Sequence, residues 1–135
     1  MTVRGKPTLC VDFDGVIHSY ESGWQGGEIY GHVVPGFLTW LLQTREFFTI
    51  SVYSARSRDE QMRMEMAAWF RRQMAERFMP EEIEDIMSSI SFVHEKPKAW
   101  LTIDDRCIRF DGNWEAPELT VTQLLAYKPW TDLPR

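Results

Sequence analysis

The sequence lacks the long apolar runs that membrane proteins carry. No stretch approaches the ~18 consecutive apolar residues needed to cross a bilayer, and the opening segment MTVRGKPTL has no apolar signal core. Internal repeats and low-complexity segments are also missing. These absences predict a cytoplasmic globular protein with no membrane partner.

Positive charge is in short supply, with 15 lysines and arginines against 20 acidic residues and a formal net charge of −5. This balance does not favour nucleic acid as a partner, because nothing in it attracts a polyanion. Arginines nevertheless concentrate in one segment, where interspersed acids predict a solvated helix face. They are Arg56, Arg58, Arg63, Arg71, Arg72 and Arg77.

Cysteine is scarce, and Cys10 and Cys107 are the two that occur. Neither has the spacing of a metal site or a redox motif. Each lies beside a predicted strand, so we expect buried, reduced thiols, which suits a reducing compartment.

What is present predicts one globular domain over residues 1–135, of which 44% are apolar. Runs of aromatic and β-branched residues predict strands, and apolar residues at a helical period predict helices. The expected strands are 8–13, 47–53, 90–93 and 99–103, with a fifth at 107–110, and the expected helices are 37–44, 54–78 and 80–89. Residues 15–34 form a long glycine-rich connection, which we call the flap; its length is typical of a functional segment.

The helix predicted at 54–78 carries the strongest periodic pattern. Ser57 and Glu60 have the spacing of a capping box at its start. A stripe of methionine and aromatic residues follows the helical period, which predicts packing into the core. The stripe comprises Met62, Met66, Trp69, Phe70, Gln73 and Arg77, flanked by Met74 and Phe78.

Strands separated by helices favour an α/β fold with a mainly parallel sheet and helices on both faces. Ligands of such sheets bind at the carboxyl ends of the strands. The polar residues that follow the predicted strands are Asp12 and Asp14, then Ser54, then Lys96 and Lys98, and finally Asp104 and Asp105.

These residue types form a coherent chemical set. Several adjacent carboxylates need a cation to remain ionised, and oxygen ligands of this kind suit Mg²⁺. One carboxylate beside the ion can attack phosphorus, and another can exchange a proton with the leaving group and with water. A hydroxyl and an ammonium group can bind the phosphoryl oxygens.

The segments DFDG, VYS and IDDR, with a lysine before the last, resemble in this order the four motifs of the haloacid dehalogenase superfamily of phosphotransferases. The resemblance covers the chain from about Thr8 to Arg106. It implies a Rossmann-like three-layer sandwich and an Mg²⁺-dependent phosphatase that forms an aspartyl-phosphate.

The resemblance also implies roles for individual residues. Asp12 is the nucleophile and a metal ligand, and Asp14 is the general acid/base and binds Mg²⁺ through its backbone carbonyl. Asp104 and Asp105 are further metal ligands. The expected phosphate ligands are Gly15, Ser54, Ala55 and Lys96, with Lys98 as the alternative lysine.

No separate cap domain is expected, because the gaps between these motifs hold only the flap and helices. Substrate selection then falls to the flap, to a second copy in a homo-oligomer, or to the bulk of the substrate. The expected substrate is a phosphorylated nucleotide, small metabolite or polymer end. Two other functions stay open: an idle Mg²⁺-binding interaction module, and a receiver-like signalling domain that is phosphorylated without turnover.

Several neighbouring residues keep two interpretations. His18 lies on the flap near the proposed site. One interpretation of this histidine is that it contacts the substrate, and the other is that it makes no such contact. Arg56 and Arg58 either reach the substrate or pair with the acids that follow them. Tyr20, Trp24 and Tyr30 either stack on a substrate ring or pack the flap against the body. Arg106 offsets the charge of the acids before it.

Overall fold

A four-stranded parallel sheet of order β3-β2-β1-β4 organises the computed structural model, which describes residues 5–132. The strands are β1 (Thr8–Val11), β2 (Thr49–Val52), β3 (Ile90–Phe92) and β4 (Leu101–Ile103). All of the pairings are parallel, as the alternation of predicted strands and helices indicated. The α/β class with a parallel central sheet is therefore confirmed.

The helices of the described region are α1 (Phe37–Thr44), α2 (Glu60–Met74), α3 (Pro80–Met87) and α4 (Val121–Ala126). Short 3₁₀ turns occupy Ala55–Arg58, Pro117–Leu119 and Trp130–Asp132. No helix of the described region has both the length and the apolar character needed to cross a bilayer.

The core lies against one face of the sheet. Leu9 and Val11 of β1 stand in register with Ile50 and Val52 of β2, and strand alternation directs these side chains to the same face. The stripe predicted on the long helix packs against them. Its buried members are Met66, Trp69, Phe70 and Met74, and α1 and α3 complete the cluster with Leu38, Leu41, Ile83, Ile86 and Met87.

The connection 93–100 returns the chain from one edge of the sheet to the other without forming a helix. Right-handed crossover puts such a return over the face opposite α1 to α3. That face carries the small side chains of Cys10 and Ser51, both buried. Burial raises the pKa of the Cys10 thiol, and the positive charge of Lys96 on this connection opposes the rise.

Two local predictions are wrong. The side chain of Asp59, not Ser57, caps α2 by accepting a hydrogen bond from the Gln61 N–H, and Ser57 belongs to the preceding 3₁₀ turn. The segment 107–110 is not a strand, although its sequence is rich in β-forming residues. β4 is exposed along its whole length, and this last segment pairs with no strand.

Two predictions of burial are also wrong. Cys107 is exposed, because the segment that carries it lies outside the sheet, whereas Cys10 is buried as expected. Arg56 is only 2% exposed and does not belong to a solvated helix face. It lies in the 3₁₀ turn before α2, where its guanidinium group points under the flap.

The flap has no regular secondary structure beyond isolated bridges, yet hydrogen bonds fix it to α2. The indole of Trp69 donates to the carbonyl oxygen of Gly31 over 2.9 Å, and the N–H of Val33 donates to Oε1 of Gln73 over 3.1 Å. Tyr30 holds the flap together from inside, because its hydroxyl donates to the carbonyl oxygen of Gly23. The flap therefore packs against the body of the protein.

Candidate active site

Three carboxylates converge at the carboxyl ends of β1 and β4. Asp12 follows β1, and its N–H extends the strand pairing by donating to the carbonyl oxygen of Ile103 over 2.9 Å. Asp104 and Asp105 directly follow β4. One oxygen from each of these three aspartates lies within 4.8 Å of the others, so they can surround a single cation.

The electrostatics of this carboxylate cluster disfavour full ionisation. Burial raises the pKa of Asp12 to about 8, and the charges of Asp104 and Asp105 add to the rise, although the Phe13 N–H opposes it with a hydrogen bond. Burial also raises the pKa of Asp105. Near neutral pH the cluster therefore holds either a proton or a cation.

Gly15 makes the close approach of Asp105 possible. It has a φ of +82°, and a Cβ placed on it would lie 2.5 Å from Oδ2 of Asp105. Gly15 lies at the start of a turn over residues 15–17. Its N–H, which the sequence assigned to a phosphate, donates to the carbonyl oxygen of His18 over 2.9 Å.

A cavity of about 410 Å³ opens beside the carboxylate cluster. Its walls bring together the loops after β1, β2 and β4 with the flap and the C-terminal turn. The lining residues are Asp12, Asp14, Tyr20, Glu21, Gly23, Ser54, Ala55, Asp105, Arg106, Thr131 and Asp132. The structure thus gathers residues after β1, β2 and β4 that the sequence placed at strand ends.

Ser54 is held at the cavity wall by a reciprocal set of hydrogen bonds. Its Oγ accepts from the N–H of Arg56 over 3.1 Å, and its own N–H donates to Oγ of Ser57 over 2.9 Å. Ser57 returns a bond to the carbonyl oxygen of Ser54. The hydroxyl proton of Ser54 takes no part in these bonds and can be donated into the cavity.

Asp14 lines the same cavity, but its carboxylate lies outside the carboxylate cluster. His18 and Arg56 both bind it, through Oδ1 and Oδ2 respectively. Burial alone would raise the pKa of Asp14, but these two hydrogen bonds and the Arg56 charge outweigh burial and lower it. Asp14 is therefore ionised near neutral pH.

The predicted lysine does not line the cavity. Lys96 and Lys98 are both exposed on the connection 93–100, and the charge of Lys96 acts on Cys10 instead. Arg106 supplies the one basic side chain among the described residues that line the cavity. The sequence had given Arg106 only the role of offsetting the neighbouring acids.

Sequence reasoning missed the contribution of the C-terminal segment. The indole Nε1 of Trp130 donates to the carbonyl oxygen of Gly15 over 2.6 Å, and the hydroxyl of Tyr127 donates to the carbonyl oxygen of Asp105. These bonds bring Thr131 to the cavity rim. The aromatic residues near the end of the chain were the available signal, but no periodicity linked them to the site.

Tyr20, one of the three aromatic residues of the flap for which two interpretations were open, lines the cavity. Its φ of +55° makes it the only residue other than glycine with positive φ in the described part of the chain. Bulky side chains adopt this conformation at a cost, and such strain often occurs at functional sites. Burial raises the pKa of Tyr20, and the charge of Asp14 adds to the rise.

Comparison of the chain with protein-family descriptions, with curated proteins and with solved structures found no match. The fold and the cavity therefore define the class of protein. It is an α/β protein whose parallel sheet gathers carboxylates, a serine and an arginine around one cavity at the carboxyl ends of its strands.

Proposed function

We propose that this protein is an Mg²⁺-dependent phosphatase that hydrolyses phosphoric monoesters through an aspartyl-phosphate on Asp12. The observation that carries the proposal is the convergence of Asp12, Asp104 and Asp105 beside a cavity that Ser54 also lines. The resemblance of DFDG, VYS and IDDR to haloacid dehalogenase motifs supports the same chemistry. Membership of that superfamily, with its three-layer sandwich, belongs to this proposal.

The carboxylate cluster fits a hard divalent cation. Its donors are all oxygens, and Mg²⁺ commonly takes few carboxylates and keeps several waters. Asp12, Asp104 and Asp105 would hold the ion, with the backbone carbonyl of Asp14 as a further ligand. When bound, the cation would neutralise the carboxylates and polarise a phosphoryl oxygen.

Asp12 and Asp14 have different roles in the proposed reaction: Asp12 is the nucleophile and Asp14 transfers the proton. A carboxylate oxygen of Asp12 attacks phosphorus, and the bond from phosphorus to the leaving oxygen breaks as that oxygen takes a proton from Asp14, which has first accepted this proton from the monoanionic phosphate ester. Asp14 then accepts a proton from water, whose oxygen attacks phosphorus and releases phosphate and the free Asp12 carboxylate. The lowered pKa of Asp14 leaves its carboxylate ionised near neutral pH, which supports its role as the proton acceptor in this second step.

The phosphoryl oxygens require donors that hold them as charge shifts. Ser54 and Arg106 both line the cavity, and Ala55 lines it beside Ser54. Lys96, the lysine that the resemblance assigns to the phosphate, remains a proposed ligand. Arg106 is the competing source of positive charge.

The flap and the C-terminal turn would take the place of a cap domain. Both border the cavity, so they would select among a nucleotide, a small phosphorylated metabolite and a phosphorylated polymer end. A homo-oligomer would add a further wall. A cytoplasmic location also belongs to this proposal, since Cys10 and Cys107 are free thiols.

The proposal is tested with a panel of phosphomonoesters, assayed with Mg²⁺ and with a chelator. We expect Mg²⁺-dependent release of phosphate, and we expect Asp12→Asn to lose at least about a thousandfold in kcat. Asp111→Asn, an exposed aspartate outside the cavity, is the matched control. Binding of Mg²⁺ without turnover, or stable phosphorylation without turnover, would contradict the proposal and favour the idle module or the receiver-like domain.

A further inference from the structure

Both carboxylate oxygens of Asp14 are held by buried side chains. Nδ1 of His18 lies 2.9 Å from Oδ1, and Nε of Arg56 donates to Oδ2 over 2.7 Å. The side chain of Asp14 is 18% exposed, whereas those of His18 and Arg56 are 0% and 1% exposed. The orientation of this carboxylate is therefore fixed from the interior of the protein.

Each of these partners also holds the backbone of the flap. Nη1 of Arg56 donates to the carbonyl oxygen of Gly27 over 2.6 Å, and the N–H of Gly31 donates to Nε2 of His18 over 3.0 Å. Because Nε2 accepts a hydrogen bond, it carries no proton, so the ring proton resides on Nδ1 and faces Asp14. Two separate points of the flap are thus linked to one carboxylate.

The burial of Arg56 is costly for the fold. Its guanidinium group lies under the ring of Trp24, with Cζ 4.9 Å from the ring centroid, and Nη2 is buried without a hydrogen-bond partner among the described residues. A permanently charged group with an unsatisfied donor destabilises a protein interior. The contacts that offset this cost go to Asp14 and to the flap.

We propose that Arg56 is a positioning residue that fixes the Asp14 carboxylate and the flap relative to each other, with His18 as the second link. The inference rests on the proposed function, in which Asp14 exchanges the proton. Tyr20 and Glu21 of the flap line the cavity. A substrate that contacts them therefore affects the orientation of the Asp14 carboxylate through Gly27 and Arg56. Arg56 does not line the cavity, so it acts on the reaction only through its hydrogen bond to Asp14.

The test is hydrogen exchange at the Gly31 amide in Arg56→Lys. Lysine keeps the charge but cannot bridge Oδ2 of Asp14 and the Gly27 carbonyl with a planar fork. We expect exchange at Gly31 to accelerate at least about tenfold, while exchange at Ile50 in β2 stays within about twofold of wild type. Arg58→Lys, which changes the exposed neighbouring arginine, is the matched control and should leave both amides unchanged.

A second variant covers the case in which Arg56→Lys does not fold. Trp24→Leu removes the ring above the guanidinium group, and because Trp24 is 56% exposed we expect the variant to fold. We expect exchange at Gly31 to accelerate about threefold, again without a change at Ile50. Unchanged exchange at Gly31, or acceleration there only in step with Ile50, would overturn the proposal.

Kinetic measurements distinguish a failure of this inference from a failure of the proposed phosphatase function. With an aryl phosphate as substrate, Arg56→Lys should lower kcat about tenfold or more and change KM less than about threefold, because the substrate does not contact Arg56. Absence of phosphatase activity in the wild-type protein would refute the proposed function. The exchange measurements would still show whether Arg56 fixes the position of the flap. An unchanged kcat beside accelerated exchange would refute the positioning role.

Discussion

The indole Nε1 of Trp130 donates a hydrogen bond to the carbonyl oxygen of Gly15 over 2.6 Å, although 115 positions separate the two residues. The hydroxyl of Tyr127 makes a second bond of this kind, to the carbonyl oxygen of Asp105. Both acceptors belong to the loops that carry the carboxylate cluster. The C-terminal segment therefore braces the site and closes one side of its cavity.

Substitution of Trp130 by phenylalanine should weaken this brace. The variant keeps an aromatic ring but loses the N–H donor, so we expect the free energy of unfolding to fall by about 1 kcal/mol in urea denaturation. Trp114→Phe is the control, because Trp114 is 78% exposed and packs on Phe110 away from the cavity. Equal losses in the two variants would show that the bond to Gly15 contributes nothing specific.

Gly15→Ala should lower the affinity for Mg²⁺, and this loss should exceed the loss caused by backbone strain at a glycine of positive φ elsewhere. The added Cβ would meet Oδ2 of Asp105, whereas Gly112, with a φ of +100°, has nothing within 4 Å of its ideal Cβ. We expect Gly112→Ala to cost about 1 kcal/mol of stability and to keep Mg²⁺ affinity. Gly15→Ala should lower Mg²⁺ affinity at least about tenfold by calorimetry, and equal affinities would contradict the role of Gly15.

Arg106→Ala should weaken substrate binding more than Lys96→Ala does. Arg106 lines the cavity and Lys96 does not, and a charge-assisted hydrogen bond contributes about 1.5–3 kcal/mol. We therefore expect KM for an aryl phosphate to rise about tenfold or more in Arg106→Ala. Arg109→Ala, an exposed arginine outside the cavity, is the control. A larger effect in Lys96→Ala would restore the lysine as the main phosphate ligand.

The stability of the protein without divalent cations should fall as pH rises from about 4 to about 8. Between the ordinary pKa of 3.8 and the folded pKa of about 8, the folded protein keeps a proton on Asp12 that the unfolded chain has lost. Asp105, whose pKa is also raised, contributes in the same direction. The lowered pKa of Asp14 acts only at more acid pH.

This dependence is measured as the Tm at pH 5 and pH 8. Added Mg²⁺ should raise the Tm more at pH 8, because the ion replaces the proton in the carboxylate cluster. Asp12→Asn should flatten the dependence, since asparagine does not titrate. Identical pH profiles for wild type and Asp12→Asn would show that Asp12 does not carry the effect.

The sequence predicted those parts of the molecule that leave local patterns. The strand at Thr8–Val11 follows from an apolar run, and the helix at Phe37–Thr44 coincides with the segment FLTWLLQT. The positions of Asp12 and Asp105 at strand ends followed from the same patterns. Local patterning was enough because strand period and helix period are set by neighbouring residues.

The sequence could not predict contacts between distant positions. Arg56 reaches Asp14 across 42 positions and Gly27 across 29, so its burial left no periodic trace. It was expected on a solvated helix face because arginine usually lies there. The hydrogen bond from Trp130 to Gly15 could not be predicted from the sequence for the same reason. Such contacts depend on the folded chain, and composition alone gives them no signal.

The covalent state of Asp12 during turnover tests the central claim most directly. Wild-type protein is mixed with an aryl phosphate and Mg²⁺, quenched in acid within the first turnovers, digested and analysed by mass spectrometry. The account predicts one added phosphoryl group on the peptide that contains Asp12, and none in Asp12→Asn. Phosphate release without any phosphorylated peptide, or phosphorylation at another residue, would contradict it.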